Sequence, residues 1–250
     1  MAGERLDKIL AHLGLGTRKE VRALVKSGAV SVNSLPATDP GLHVHPGQSR
    51  IEVHGRPLSY ERHYYVMLNK PAGVVSATED RRDRTVVDIL PEDLRRPGLF
   101  PVGRLDRDTE GLLLLTDDGE MAHRLLAPKK HVDKTYLARV EGVLTPADTE
   151  AFAAGIVLED GSRTLPARLL PLRTGPESEA EVIIQEGKFH QVKRMFEAVG
   201  KRVVHLKRLR MGPLDLDPSL HPGEARPLRP EEVRALQSAT GLDTGAESMP

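Results

Sequence analysis

The chain has no cysteine and no tryptophan, and its 250 residues include only four tyrosines and four phenylalanines. Without cysteine there is no disulfide framework and no thiolate chemistry, and a reducing compartment is compatible with that lack. Aromatic side chains are scarce enough that one placed at a reactive site would stand out. No apolar segment approaches the length that spans a bilayer, and Met1-Ala2-Gly3-Glu4-Arg5 opens no signal-like apolar region, so a cytoplasmic protein with no membrane partner is expected. Asparagine occurs only twice, while arginine (25) far outnumbers lysine (11) and proline occurs 19 times, a composition that hints at a thermophilic or GC-rich source. Net charge is absent too: 36 basic side chains balance 36 acidic ones.

What is present is unevenly spread. Residues 186–210 carry eight Lys/Arg against two Glu, and residues 1–58 carry eight against five acidic residues. Residues 141–181 carry three against eight, and 211–250 three against seven. A basic face offset by acidic regions attracts phosphate as well as a basic protein does, because local sign governs that attraction. A hydrophobic share of 39% is adequate for a core, and the length suits one large domain or a small one beside a medium one.

The first 58 residues read as a small unit. Leu6, Ile9, Leu10 and Leu13 recur at helical spacing. Thr17-Arg18-Lys19-Glu20 is a capping-box sequence, Val21, Leu24 and Val25 continue a second helix, and Gly28 ends it. Strands follow at 29–34 and 50–54. Arg5, Lys8, Arg18, Lys19, Arg22 and Lys26 cluster on the two helices, where they form either solvated faces or a phosphate-binding surface. Arg5-Leu6-Asp7-Lys8-Ile9-Leu10-Ala11, Thr17-Arg18-Lys19-Glu20 and Lys26-Ser27-Gly28-Ala29-Val30-Ser31-Val32-Asn33 together resemble the S4 domain, a small RNA-binding module. A polar linker at 59–63 is expected next.

The remainder, 64–237, alternates strands with single helices, so the fold class is α+β with a mixed, mainly antiparallel sheet. The expected elements are a strand at 64–68, a short helical stretch at 86–90, and a helix opened by Asp117-Asp118-Gly119. A strand at 134–140 and a helix at 146–154 follow, then strands at 165–170 and 180–185, a basic helix at 188–199 and a strand at 202–207. From 238 to 250 the chain is small, polar and aperiodic, and reads as a disordered tail.

The densest stretch is Gly103-Arg104-Leu105-Asp106-Arg107-Asp108-Thr109-Glu110-Gly111, running into Leu112-Leu113-Leu114-Leu115. Charges crowded against a buried strand are costly unless they have partners or a task. Asp106, Asp108, Glu110 and Asp117 fall at calcium-loop spacing, but Phe100-Pro101-Val102-Gly103 is not helical and four leucines do not suit a solvated metal loop, so no metal is expected. Capping of a turn explains any single Asp here. A reactive carboxylate explains the arginines and the apolar strand as well. A second basic cluster, Glu186-Gly187-Lys188-Phe189-His190-Gln191-Val192-Lys193-Arg194-Met195-Phe196, enters a helix. Phe189, Val192 and Phe196 share a face by their spacing and are expected in the core. Lys193 or Arg194 is placed to pair with Asp106, keeping it ionised and oriented.

Asn69-Lys70-Pro71-Ala72-Gly73, Gly103-Arg104-Leu105-Asp106, Lys134-Thr135-Tyr136 and His190-Gln191-Val192-Lys193-Arg194-Met195 occur in that order. With the S4-like start they resemble the RsuA family of ribosomal RNA pseudouridine synthases over residues 1–237. The resemblance implies isomerisation of uridine to its C-glycoside in folded RNA without metal or organic cofactor. It implies Asp106 as the catalytic carboxylate, Tyr136 as the ring against the target base, and Lys193 as the cation paired with Asp106, in a place where the wider superfamily more often has Arg. It also implies RNA contacts from the six S4 cations and from Lys70, Arg104, His190, Gln191 and Arg194. The partner implied is ribosomal RNA or a ribosome-assembly intermediate, with the protein a monomer. The His190–Met195 motif looks more like the branch acting on 16S small-subunit rRNA. A large-subunit (23S) target and a non-catalytic S4-type assembly factor are the alternatives.

Overall fold

A computed structural model describes residues 3–45, 49–58, 63–127 and 131–242. The chain divides into two units, residues 1–64 with 95–99, and residues 65–94 with 100–250. Among the described residues no helix is long and apolar enough to cross a membrane.

The first unit contains β1 (Glu4–Arg5), α1 (Leu6–His12), α2 (Arg18–Lys26), β2 (Val30–Val32), β3 (Leu35–Pro36), β4 (His43–Val44), β5 (Ile51–Val53) and β6 (Arg56–Leu58). Strands β3-β2-β5-β6 form an antiparallel sheet and β1 pairs with β4. The expected capping box starts α2: Thr17 N donates to Glu20 Oε2 at 2.7 Å and Glu20 N donates to Thr17 Oγ1 at 3.4 Å. Leu6, Ile9, Leu10, Val21, Val25, Val30 and Ile51 fill the core. Asp7 is buried beside them. Hydrogen bonds from Arg5, and then from Arg22, overcome its desolvation and hold its carboxyl down to about 2.

The second unit runs β7 (Tyr65–Lys70), a 3-10 turn (Glu92–Leu94), β8 (Phe100–Pro101), β9 (Glu110–Thr116), α3 (Gly119–Leu126), β10 (Lys134–Glu141) and α4 (Pro146–Ala154). It continues with β11 (Arg168–Arg173), β12 (Glu177–Ile184), α5 (Gln191–Ala198), β13 (Arg202–Met211), β14 (Leu214–Asp215), β15 (Ala225–Pro227) and α6 (Pro230–Thr240). The sheet order is β11-β12-β10-β13-β9-β7-β15, with β14 beside β13 and β8 beside β9. Every pairing is antiparallel except β9 with β13. Leu112 to Leu115 are buried on both faces of β9, which is why the run is continuous rather than alternating.

Several boundaries differ from the sequence reading. Val86–Leu90 forms turns rather than a helix, because Pro91 disfavours helical backbone before it, and the 3-10 turn follows at Glu92–Leu94. The helix expected from 188 begins only at Gln191. His190 takes a left-handed conformation, φ 49° and ψ 32°, and so separates the turn from the helix. The strand expected at 165–170 is shifted to Arg168–Arg173, and β13 continues to Met211. The tail reading is corrected at its start: α6 extends to Thr240, whose hydroxyl donates to Leu236 O at 2.7 Å beside buried Leu236. Residues 243–250 lie outside the described residues, as does the expected linker apart from His63.

Gly111 is where the two parallel strands meet, paired with Arg208. Its φ is +99°, and a Cβ there would lie 2.2 Å from the Arg208 carbonyl oxygen and 2.8 Å from its nitrogen. Backbone on the far side leaves no flexible group to yield. Gly111→Ala is therefore expected to lower unfolding free energy by more than ~2 kcal/mol in urea titration. The control Gly200→Ala, at φ +72° with open space around it, should cost only ~1 kcal/mol.

Candidate active site

The loop between β8 and β9 carries Asp106, and main-chain hydrogen bonds hold that loop. Lys70, at the end of β7, is completely buried. Its ammonium donates to the carbonyls of Pro71 (3.0 Å), Asp106 (3.0 Å), Arg107 (3.3 Å) and Thr109 (2.8 Å). Ser76 Oγ donates to Leu105 O at 2.9 Å and accepts from Leu105 N at 3.1 Å. Gly73 N donates to Arg107 O at 2.7 Å, and Thr109 N donates to Asp106 O at 3.1 Å. The backbone on both sides of Asp106 is thus fixed, leaving its side chain free to face the other elements.

Those elements supply its charge partner. α5 follows the left-handed His190, and its Val192, Met195 and Phe196 pack inward, with Phe196 against Phe152 of α4 at a ring-centroid distance of 5.0 Å. The helix then presents Lys193 to the loop. Lys193 Nζ lies 3.1 Å from Asp106 Oδ2 and 2.6 Å from Asp108 Oδ1. Burial works against the Lys193 charge, but the hydrogen bonds to Asp108 and Asp106 outweigh it and raise its pKa above the ordinary lysine value. Desolvation likewise opposes the Asp108 charge, and the Lys193 hydrogen bond holds that carboxyl below the usual range. His190 Nε2 stands 3.5 Å from Asp106 Oδ1.

A half-open cleft lies beside these groups. The loop contributes Arg104, Leu105, Asp106 and Thr109, and the sheet contributes Tyr136, Ile184 and Leu206. The turn into α5 closes it with Lys188 and His190 among others. Tyr136 is 7% exposed, so its ring forms part of the wall. Thr109 is buried with a hydroxyl that has no hydrogen-bond partner among the described residues. A carboxylate paired with one ammonium, beside an aromatic wall, can act on a planar electrophilic ring or on a sugar carbon held in the pocket.

Three of the residues expected to contact RNA are occupied differently. Lys70 is sealed inside, because its four carbonyl acceptors replace water. Gln191 is buried, donating to Glu186 Oε1 at 2.9 Å and accepting from Lys188 N at 2.8 Å, so it shapes the turn. Arg194 reaches Asp160 at 2.6 Å instead of Asp106. Arg104 and His190 remain on the pocket wall. Phe189, expected in the core, is 69% exposed, since the helix that would have turned it inward has not yet begun. The sequence reading missed Thr109, Ser76, Ile184 and Leu206. Thr109 was visible inside the charged stretch, whereas the others gave no local signal.

In the first unit Arg18, Lys19 and Lys26 are exposed and make no ion pair among the described residues. Arg5 and Arg22 meet Asp7, and Lys8 meets Glu4 at 2.6 Å.

The profile of the RNA pseudouridylate synthase family matches residues 64–198, more than half of the chain, and that of the S4 domain matches residues 4–49. The chain belongs to the RNA pseudouridylate synthase family. It is 50% identical to the uncharacterized RNA pseudouridine synthase YtzG of Bacillus subtilis, over 93% of this chain and 98% of that protein. It is 42% identical to ribosomal large subunit pseudouridine synthase B of Bacillus subtilis, covering 94% and 96% of the two chains. It is also 42% identical to ribosomal small subunit pseudouridine synthase A of Pseudomonas aeruginosa, covering 92% and 98%. This pseudouridine synthase is an isomerase with an S4 domain, and its substrate is RNA.

The buried lysine gives the synthase a pH signature. Desolvation drives Lys70 down to about 8, against the pull of Asp108, Asp106 and Glu110. Between pH 8 and the ordinary lysine value the unfolded chain holds this proton and the folded one has lost it, so stability rises with pH in that window. Unfolding free energy of the wild type relative to Lys70→Met should therefore climb by up to ~1.4 kcal/mol per pH unit above pH 8. Urea titrations at pH 7, 8, 9 and 10 check it, and a flat difference would mean that the carbonyls fully replace water and the pKa is not lowered.

Proposed function

We propose that this protein converts a uridine in ribosomal RNA to pseudouridine, with Asp106 as the catalytic carboxylate, and that its target lies in the 16S small-subunit rRNA. The observation that carries the proposal is the Asp106–Lys193 pair at 3.1 Å beside a pocket walled by Tyr136. The reaction breaks the N1–C1′ bond and joins C1′ to C5 of the same base, whose C5 proton then leaves. The Asp106 carboxylate can attack the base or the sugar, or take a sugar proton, and each route ends in the same rotated uracil. Lys193 balances and orients the carboxylate throughout. The detached uracil must turn without escaping, which a pocket with an aromatic wall favours. A paired uridine must first leave its stack at a cost of roughly a few kcal/mol, which phosphate contacts can offset.

The small-subunit target rests on the His190–Met195 motif, since the relatives named for the large and small subunits are equally identical to this chain. The exposed Arg18, Lys19 and Lys26 of α2 support a docking role for the S4 unit on folded RNA.

Asp106→Asn is expected to reduce tritium release from C5-tritiated uridine RNA to background while RNA affinity stays nearly unchanged. Normal release by the variant would remove Asp106 from the chemistry. Sequencing of pseudouridines in 16S and 23S transcripts treated with the wild type decides the target, and a 23S site alone would overturn the small-subunit assignment. Arg18→Ala/Lys19→Ala/Lys26→Ala should flatten the dependence of log affinity on log salt by about 2–3, one cation at a time. An unchanged slope in filter binding across salt would mean that these cations touch no phosphate.

A further inference from the structure

Phe189 has no place in the core and none in the chemistry above. Its ring is nonetheless held in a defined position: it stacks on the His190 imidazole with centroids 3.8 Å apart and planes 19° apart. His190 is itself fixed by its left-handed backbone at the start of α5, and it lines the pocket 3.5 Å from Asp106 Oδ1. The result is a two-ring stack at the pocket edge, backed by the histidine, with 69% of the phenylalanine residue open to solvent. Lys188, Lys193 and Arg194 surround it in sequence, and Arg194 Nη1 donates to Phe189 O at 3.4 Å. A flat ring held open at the edge of a pocket in an RNA-modifying enzyme fits a nucleobase, which presents a π-face of its own, better than it fits an apolar peptide.

We propose that Phe189, backed by His190, is a stacking platform for the nucleobase next to the target uridine. The proposal rests on the RNA-modifying reading above and extends it to a second nucleotide. When the uridine leaves its stack, the neighbouring base loses one of its own stacking faces. The Phe189 ring replaces that face beside the pocket, which favours the opened strand without reading its sequence, since every base has a π-face.

Single-turnover tritium release from C5-tritiated 16S and 23S rRNA transcripts, across enzyme concentrations, tests this with Phe189→Ala, Phe189→Leu and Phe189→Tyr. Phe189→Ala and Phe189→Leu should raise the half-saturating enzyme concentration about tenfold on the transcript the wild type modifies, and Phe189→Tyr should stay within about twofold. Melting temperatures of all three should match the wild type, because the ring is exposed. Wild-type values for Phe189→Ala or Phe189→Leu would overturn the platform. So would a fall in the saturated rate at unchanged half-saturation, which would mean that the ring only steadies His190 beside Asp106. A wild type that releases no tritium from either transcript would overturn the function itself, and the platform with it.

Discussion

The burial of one ammonium group organises this site. Lys70 ends a strand whose six residues are all buried, and its charge is removed from water altogether. Such a charge is tolerable only when its donors are used, and the four carbonyls of Pro71, Asp106, Arg107 and Thr109 use them. The dependence is mutual. A tight loop cannot direct three carbonyls inward unless something there replaces water. The lysine thus fixes the backbone from which the Asp106 side chain departs, while Asp106, Asp108 and Glu110 lend the lysine a favourable field. The carboxylate itself makes none of those hydrogen bonds and stays free for Lys193.

The second constraint is the close approach of β9 and β13 at Gly111. No other residue type fits between the strand and the Arg208 backbone, and the pairing there is parallel whereas the other strand pairings of this sheet among the described residues are antiparallel. By joining β9 to β13 it sets the loop before β9 in one sheet with β13, β10 and β12, whose Leu206, Tyr136 and Ile184 line the same pocket. Asp106 and Lys193 stand far apart in sequence, and this strand order brings them within 3.1 Å.

The sequence made this pairing legible because Asp106 and Lys193 sit in motifs whose order implies a shared site. The apolar run of β9 and the capping box of α2 were legible because they follow from local spacing. Lys70, Gln191 and Phe189 sit otherwise than their local spacing suggests, Lys70 and Gln191 buried and Phe189 exposed. Each lies at a boundary that local spacing misplaced: the strand read to 68 runs to Lys70, and the helix read from 188 starts at Gln191. A lysine after an apolar strand reads as its exposed end, yet here the strand stays buried through its last residue. Extending the α5 periodicity back to 188 turns Phe189 inward and Gln191 outward, whereas the left-handed His190 resets the phase and reverses both. Histidine is among the few residue types that adopt that backbone readily, but spacing alone does not mark which one does.

The identity of residue 193 bears on how firmly the carboxylate is held. A guanidinium is a rigid fork that suits two oxygens of one carboxylate. An ammonium is a point charge with three rotatable donors, and here it divides them between two carboxylates, Asp108 at 2.6 Å and Asp106 at 3.1 Å. Asp106 is therefore oriented by the longer of two contacts and by a main chain fixed from beneath, not by a bidentate clamp. In the proposed reaction, a carboxylate that forms and releases contacts to a turning base benefits from that arrangement. On that proposal, Asp108 takes more of the ammonium as Asp106 turns to substrate, so the lysine charge stays paired with little reorganisation.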